Sequence, residues 1–169
     1  MIGLDVASVE DAAAMSALTR HVIRVVNAKD YTPQEVDHAC EKFSPEYFES
    51  KIACRIFYKA TLADEIIGQA SFGDGKIHTL FVHSQLHGQG IGAKLLAKLE
   101  IAAFDAKIFK ILVASSVAAK GFYEKFGFST LGIENGPFGV TFAMEKFLGV
   151  ITAIERPRLP SSTSAKPRR

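Results

Sequence analysis

The sequence predicts a mixed α/β protein folded as one domain, and three observations support this. The 169 residues suffice for one sizeable core, and 48% hydrophobic with 22% charged residues is the balance of an ordinary globular protein. Apolar residues recur at helical spacing near the N-terminus, whereas strand-like alternation begins near residue 54. Strands and helices then alternate along the second half. We therefore expect a mixed, α+β-type sheet flanked by helices.

The N-terminal third is predicted to hold an edge strand and three helices. Residues 2–6 alternate apolar and polar side chains over one strand length. A helix over residues 9–27 is indicated by apolar residues three and four apart, namely Ala12, Met15, Leu18, Val22 and Val25. Thr32-Pro33 and Ser44-Pro45 each combine a capping side chain with a proline suited to the first helical position. Two shorter helices should start there.

The rest of the chain is predicted to hold six strands and two helices. Turn residues at 62–64 and 73–75 separate the first three of these strands. The predicted strands cover residues 54–61, 65–72, 77–83, 110–115, 128–133 and 140–147. One helix should follow the glycine-rich segment and reach residue 104, and another should cover residues 118–126. Seven strands are thus expected in all.

Charge is unevenly distributed along the chain. Residues 156–169 hold five basic residues and no acidic one, so residues 1–155 carry −3 although the whole chain carries +2. A mildly acidic domain lacks the basic face of a nucleic-acid binder. We predict one domain over residues 1–150 and a basic, disordered tail over residues 151–169, for which a purely solvated role is favoured over contact with RNA, a membrane or a partner.

Cysteine usage and the N-terminal segment favour a cytoplasmic protein without metal. Cys40 and Cys54 show no CxxC spacing, so neither a disulfide framework nor a zinc ribbon is indicated. No signal-peptide pattern or membrane-spanning apolar run is visible, and no membrane partner is expected. His78, His83 and His87 are spaced five and four apart, but a path from strand to loop would not bring them together on a metal.

The segment that indicates chemistry is a glycine-rich turn between a predicted strand and a predicted helix. Its glycines let the backbone approach a ligand closely, and amides at a helix N-terminus favour a pyrophosphate. Such a turn can also be merely structural. The predicted phosphate-binding residues are His87, Gly88, Gln89, Gly90, Ile91 and Gly92.

Two other phosphate-binding motifs fit this turn less well. The P-loop requires Lys followed by Ser or Thr, whereas Lys94 is followed by Leu95. The dinucleotide pattern GxGxx[GA] is matched literally by Gly88, Gly90 and Ala93. That motif, however, should follow a first strand and precede an acidic residue about 20 positions later, and neither condition is met.

The turn closely resembles the [QR]xxGx[GA] motif of the GCN5-related N-acetyltransferases. The preceding IHTLFVHSQL is similar to the family's IxxLxVxPxx strand, and Gly90 and Gly92 occupy its two small positions. His87 departs from the preferred Gln or Arg, which puts a side-chain contact there in doubt, and Ser84 departs from the common Pro. The segment ILVASSVAAKGFYEKFGF resembles a second family block in the correct order. The resemblance covers residues 1–147 and is closest to small bacterial single-domain members.

The resemblance implies a central, mostly antiparallel sheet that splays between its fourth and fifth strands. Acetyl-CoA would then be the co-substrate, with its pantetheine arm in the gap and its pyrophosphate on the turn. Main-chain groups of Leu80, Phe81 and Val82 would pair with pantetheine. Ser115 would orient the thioester or a water chain, although Ser115 or Ser116 could instead cap the following helix.

The resemblance also suggests two catalytic residues. Tyr123 matches the tyrosine that serves the family as general acid to the coenzyme A sulfur, and this role is favoured over the alternative, a core tyrosine beside Phe122 and Phe126. His78 is the candidate base because relatives often place an acidic residue at this strand position. A histidine satisfied by a backbone carbonyl is the alternative.

The predicted function is direct acetyl transfer to a primary amine of an unidentified small-molecule or peptide acceptor. Tyr31 and His38 are candidate substrate-binding residues, although their spacing also fits an exposed helix face. One rival is a catalytically silent acyl-CoA-binding or regulatory module. Another is an antitoxin-like or docking domain that uses the tail. The sequence leaves open whether the chain forms a homodimer.

Overall fold

The computed structural model describes residues 1–149. The predicted tail, residues 151–169, lies outside this range. Within residues 1–149, seven strands form one sheet: β1 (Gly3–Val6), β2 (Ile56–Leu62), β3 (Glu65–Gly73), β4 (Lys76–Val82), β5 (Lys110–Ser115), β6 (Ser129–Gly136) and β7 (Gly139–Phe147). Five α-helices accompany it: α1 (Ala12–Val25), α2 (Pro33–Lys42), α3 (Pro45–Ile52), α4 (Ile91–Asp105) and α5 (Lys120–Lys125). The predicted fold class, a mixed α/β sheet flanked by helices, is confirmed.

The sheet has the strand order β1-β2-β3-β4-β5-β7-β6. All neighbouring pairs are antiparallel except β4 and β5, which run parallel. The final hairpin places β7 rather than β6 beside β5, so β6 becomes the edge strand. Strand β1 forms the opposite edge, as the sequence predicted.

The helix starts follow from the capping residues. The Thr32 hydroxyl accepts from Glu35 N, the Glu35 carboxylate accepts from Thr32 N, and Pro33 occupies the first turn of α2. The Ser44 hydroxyl accepts from Tyr47 N at the start of α3. These short helices therefore begin at the predicted residues.

The helices cover both faces of the sheet. A side chain at Gly68 in β3 would meet Leu95 of α4 at 3.0 Å, whereas the neighbouring Gln69 donates to Thr19 of α1 at 3.0 Å. Since adjacent strand residues face opposite sides, α4 and α1 lie on opposite faces. Leu95 and Leu99 are fully buried in the core beneath α4, and Met15 and Phe48 in the core beneath α1–α3.

A buried polar network joins α1 to β3 and β4. Thr79 Oγ1 donates to Gln69 Oε1 at 2.7 Å, Gln69 Nε2 donates to Thr19 Oγ1, and Ser71 Oγ lies 2.8 Å from Thr79 Oγ1. All four side chains are almost completely buried. The network therefore holds the middle of β4 in register with β3 beneath α1.

Thr19→Val should destabilise the fold by about 1–3 kcal/mol, because the buried Gln69 amide loses its acceptor while the side-chain volume is kept. Urea denaturation followed by circular dichroism measures the change. Thr130→Val, on the exposed edge strand β6, is the matched control and should change stability by less than about 0.5 kcal/mol. Equal stability of the two variants would mean that the network contributes nothing.

Candidate active site

The central feature of the site is a gap between β4 and β5. These strands pair only at Lys76↔Leu112 and Ile77↔Val113, the first two residues of β4. From there to Val82, β4 keeps β3 as its neighbour among the described residues, while β5 continues along β7 as far as Ser115. Backbone groups of β4 thus face an opening, which confirms the predicted splay.

The glycine turn lies at the wide end of this gap. Gly88 and Gly90 both adopt φ of 78°, a left-handed conformation that favours glycine, and Gly90 is the N-cap of α4. Lys94 N donates to Gly90 O at 3.1 Å, so the amides of residues 88–93 precede the first hydrogen bond of the helix. A side chain on Gly88 or Gly90 would meet no atom within 4 Å. The turn therefore presents donors beside open space, as an anion cradle requires.

His87 is engaged within the protein. Its Nε2 donates to the Val82 carbonyl at 2.8 Å, which ties the turn to the end of β4. The side chain thus holds the turn against the end of β4, which leaves the backbone amide of His87 as the group to which the predicted phosphate contact would fall. Gln89 is exposed and does not line the adjoining cavity.

Two cavities meet at the gap. The smaller, about 400 Å³, is lined by the turn, by residues 80–82 of β4, by Phe122 of α5 and by Phe126 at the end of that helix. The larger, about 510 Å³, extends along β4 toward α2 and α3. They share six lining residues: Asn27, Leu80, Phe81, Ser116, Ala119 and Tyr123. A molecule in one cavity would therefore adjoin a molecule in the other.

Tyr123 stands at this junction. It is 4% exposed, and its ring packs edge-on against Phe122 and Phe128. Its hydroxyl makes no hydrogen bond within residues 1–149, and since no fully enclosed polar side-chain atom of that range lacks a partner, the oxygen is accessible where the residue borders both cavities. Burial raises the pKa of the Tyr123 phenol well above its usual value, since the phenolate would lose its hydration. The phenol is therefore protonated throughout the neutral range.

His78 lines the larger cavity and is half-buried. Its Nε2 lies 3.1 Å from the Gly73 carbonyl, which can only accept, so Nε2 carries the proton and Nδ1 has the lone pair. Burial lowers the pKa of His78, and the nearby Arg55 lowers it further. At neutral pH the ring is uncharged and can accept a proton.

Comparison with known proteins identifies this arrangement. Residues 27–147 match the family model described as the acetyltransferase (GNAT) domain. The chain belongs to the GNAT acetyltransferases.

Solved structures agree with this assignment. A GCN5-related N-acetyltransferase from Rhodopseudomonas palustris is 26% identical with a TM-score of 0.80, over 86% of this chain and 95% of that one. The PaiA N-acetyltransferase from Thermoplasma acidophilum, in complex with coenzyme A, is 21% identical with a TM-score of 0.75, over 87% and 99%. YncA from Salmonella typhimurium, a putative acetyltransferase with its cofactor acetyl-CoA, is 19% identical with a TM-score of 0.63, over 90% and 96%. The last two show likeness of fold.

The two serines at the end of β5 in this GNAT domain have different partners. The Ser115 hydroxyl is buried, donates to Ser116 O at 2.8 Å and borders the larger cavity. The Ser116 hydroxyl accepts from Ala119 N at 3.3 Å, which is the capping interaction considered above. This hydrogen bond closes a turn over residues 116–119 ahead of α5. The helix therefore begins at Lys120, two residues later than predicted.

The two predicted substrate-binding residues occupy different positions. Tyr31 lines the larger cavity, and its hydroxyl accepts from Val117 N at 3.0 Å and donates to Val140 O at 2.8 Å. It thereby connects the segment before α2 to the loop that follows β5 and to the start of β7. His38 is exposed on α2, with Nδ1 3.3 Å from the Pro137 carbonyl, and is not part of the cavity lining.

The three histidines considered for a metal are separated by their partners. His83 stacks on His21 with ring centroids 4.7 Å apart, while His78 and His87 bind different carbonyls. Within residues 1–149 no group of three His, Cys, Asp or Glu side chains could hold a metal ion. Over the same range, no helix combines the length and apolar character needed to cross a bilayer.

The basic residues that line the larger cavity belong to no recognisable sequence motif. The larger cavity is lined by four basic side chains: Lys42, Lys51, Arg55 and Lys76. They come from the ends of two helices, a connection and the start of a strand. Only the three-dimensional arrangement of these elements brings them together.

Proposed function

We propose that this GNAT acetyltransferase transfers the acetyl group of acetyl-CoA directly to a primary amine in a ternary complex. The observation that carries the proposal is the meeting of two cavities at Tyr123. One cavity contains the glycine turn and the unpaired edge of β4, and the other contains His78. The acyl donor and the acceptor can therefore be bound on either side of one proton-donating side chain.

Acetyl-CoA is the co-substrate of this family and supplies the activated acetyl group. The amides from Gly88 to Gly92 would bind the pyrophosphate, and the open space above Gly88 and Gly90 is compatible with close approach of a phosphate. Main-chain groups of Leu80, Phe81 and Val82 would bind the pantetheine arm, because β5 has already diverged from this part of β4. The residues present thus fit the co-substrate.

Tyr123 is proposed as the general acid. When the amine displaces coenzyme A, the sulfur leaves as a thiolate and needs a proton. A phenol whose pKa is raised by burial is fully protonated before this step, and within residues 1–149 the hydroxyl has no competing hydrogen-bond partner. Its position between the cavities supports this role.

His78 is proposed as the base that removes the proton from the attacking amine, directly or through water. Nδ1 is the nitrogen available for this, since Nε2 donates to Gly73 O. Ser115 would contribute to the wall beside the thioester, and Tyr31 to the wall of the acceptor cavity. The role of His38 stays a prediction.

A covalent enzyme intermediate is not part of the proposal. Cys40 is buried, and burial raises the pKa of its thiol. Cys54 is exposed. Neither lines either cavity, so neither is placed to attack the thioester.

The direct test is release of coenzyme A thiol from acetyl-CoA with a panel of amines, together with calorimetric binding of acetyl-CoA. The proposal expects both binding and amine-dependent thiol release. Binding without release from any amine would instead support a silent acyl-CoA-binding module. The cytoplasmic location stays a prediction. Whether the chain forms a homodimer stays open, and sedimentation equilibrium would decide it.

The pH profile provides a test of His78. Because burial and Arg55 disfavour the imidazolium, the neutral base should persist below the ordinary histidine pKa of about 6.5. We expect kcat/KM to fall with an additional acidic limb below that pH, over and above the uniform slope from deprotonation of the amine. In His78→Gln this limb should vanish and kcat should fall about 100-fold. An unchanged limb in the variant would exclude His78 as the base.

A further inference from the structure

The larger cavity carries an excess of positive charge. Lys42 lies in the last turn of α2, Lys51 in the last turn of α3, Arg55 just before β2, and Lys76 at the start of β4. The acidic side chains on the same lining are Glu35 and Glu134. Glu35 is already engaged, since its carboxylate accepts from Thr32 N at 2.8 Å as part of the α2 cap.

Ordinary structural roles explain this cluster only in part. Lysines at helix C-termini interact favourably with the helix dipole, which accounts for Lys42 and Lys51. It does not account for Arg55 or Lys76. None of the four lies within ion-pair distance of a carboxylate in residues 1–149, whereas Lys59, Lys110, Lys120 and Lys146 each do.

Arg55 is held in a fixed position at the cavity wall. Its Nη1 donates to Tyr47 Oη at 3.0 Å, and its aliphatic stem covers Gly73, where an added Cβ would lie 2.9 Å from Arg55 Cγ. A guanidinium has five N–H donors, so most remain available for a ligand. An arginine immobilised in this way is suited to binding a carboxylate or phosphate through paired hydrogen bonds.

The basic side chains also influence one another. Partial burial lowers the pKa of the Lys42 ammonium, and repulsion from Arg55, Lys76 and Lys51 lowers it further. The pKa of His78 is lowered in the same way, by burial first and by Arg55 next. A bound anion would reduce this repulsion, whereas a polycationic acceptor would increase it.

We propose that the acceptor is an amine that also carries a carboxylate or phosphate group, bound by Arg55 and Lys76 in the larger cavity. This inference rests on the proposed function and narrows its substrate class. The amine end of the acceptor faces Tyr123 and His78, and its anionic end faces the basic side chains of the cavity lining. Polyamines and aminoglycosides are disfavoured as acceptors, since they are positively charged like the side chains that line this cavity.

Matched pairs of acceptors test the proposal. We would compare L-amino acids with their amides, phosphoethanolamine with ethanolamine, and spermidine as a polycation. The expected result is a kcat/KM at least about tenfold higher for an anionic member than for its neutral counterpart, reduced by added salt. The amino-acid and phosphoethanolamine pairs distinguish carboxylate from phosphate.

Substitutions test whether Arg55 and Lys76 bind the anionic group of the acceptor. Arg55→Gln and Lys76→Gln should raise KM for the preferred anionic acceptor about tenfold and leave the dissociation constant of acetyl-CoA unchanged. Lys98→Gln on α4, which lines neither cavity, is the control and should change neither quantity. Equal KM values in all three variants would overturn the assignment of Arg55 and Lys76.

A binding measurement separates this inference from the proposed function. In the presence of coenzyme A, calorimetry compares N-acetylated amino acids with their amides, and N-acetylphosphoethanolamine with N-acetylethanolamine. Preferential binding of the anionic forms supports the basic cavity even if no amine is turned over, in which case only the catalytic proposal fails. Turnover of neutral amines or spermidine with no anionic preference in either measurement leaves the catalytic proposal intact and overturns this one.

Discussion

Gly90→Val should abolish acetyl-CoA binding while the domain stays folded. Gly90 has φ of 78°, which a β-branched residue tolerates poorly, and its added side chain would project into the empty space beside the turn. Backbone strain in the turn and steric obstruction of the phosphate should therefore both weaken acetyl-CoA binding. We expect the dissociation constant to rise at least about 100-fold, equivalent to about 2.8 kcal/mol. Isothermal titration calorimetry measures the constant, and circular dichroism the fold.

Two further variants separate the causes. Gly132→Val places the same side chain in open space on β6, where no positive φ is required, and should leave binding unchanged. Gly90→Asn keeps a residue that tolerates the left-handed conformation, so any loss of binding it shows reflects obstruction of the cradle. Normal acetyl-CoA binding by Gly90→Val would mean that the pyrophosphate lies elsewhere.

Tyr123→Phe should lower kcat about 100-fold or more with little change in acetyl-CoA affinity. General acid catalysis typically contributes factors of about 10² to 10⁴, and the substitution removes only the hydroxyl. Stability should be nearly unchanged, because the ring contacts with Phe122 and Phe128 are kept and no hydrogen bond of the hydroxyl within residues 1–149 is lost. Steady-state thiol release, calorimetry and thermal denaturation measure the three quantities.

Tyr58→Phe is the matched control for this experiment. Tyr58 is a half-buried tyrosine on β2 that lines neither cavity, and burial raises the pKa of its phenol as well. Its variant should retain normal turnover. If Tyr123→Phe behaves in the same way, the tyrosine is a core residue and the thiolate takes its proton from another source.

The parts of the fold that follow local rules could be predicted from the sequence. Thr32 and Ser44 cap helices because their hydroxyls satisfy first-turn amides, and prolines follow them. The turn at Ala63 and Asp64 uses positive φ at both residues, which suits a tight hairpin. The strand order was not predictable in this way. The position of β7 between β5 and β6 depends on how the final hairpin meets the sheet, and no local pattern encodes that.

In the candidate site, too, only the residues that belong to contiguous motifs could be predicted from the sequence. The glycine turn and Tyr123 could be assigned from contiguous motifs, and the structure places both beside one gap. Two features could not be predicted from the sequence: the hydrogen bond from His87 to Val82 O, and the four basic side chains that line the larger cavity. Each depends on how separate segments are arranged in the fold. The predicted helix over residues 9–27 also begins later than expected, at Ala12, because Ser8 first starts a 3₁₀ turn.

The short pairing of β4 with β5 has a consequence for the stability of the whole enzyme. Within residues 1–149, only two residue pairs join the half-sheet β1–β4 to the half-sheet β5–β7 across this seam. The seam lacks most of the backbone hydrogen bonds that make other strand pairs cohesive. A ligand lying in it would bond to one half while packing on the other, and so would act as a missing strand. Saturation with co-substrate should therefore make the two halves unfold as a more cooperative unit.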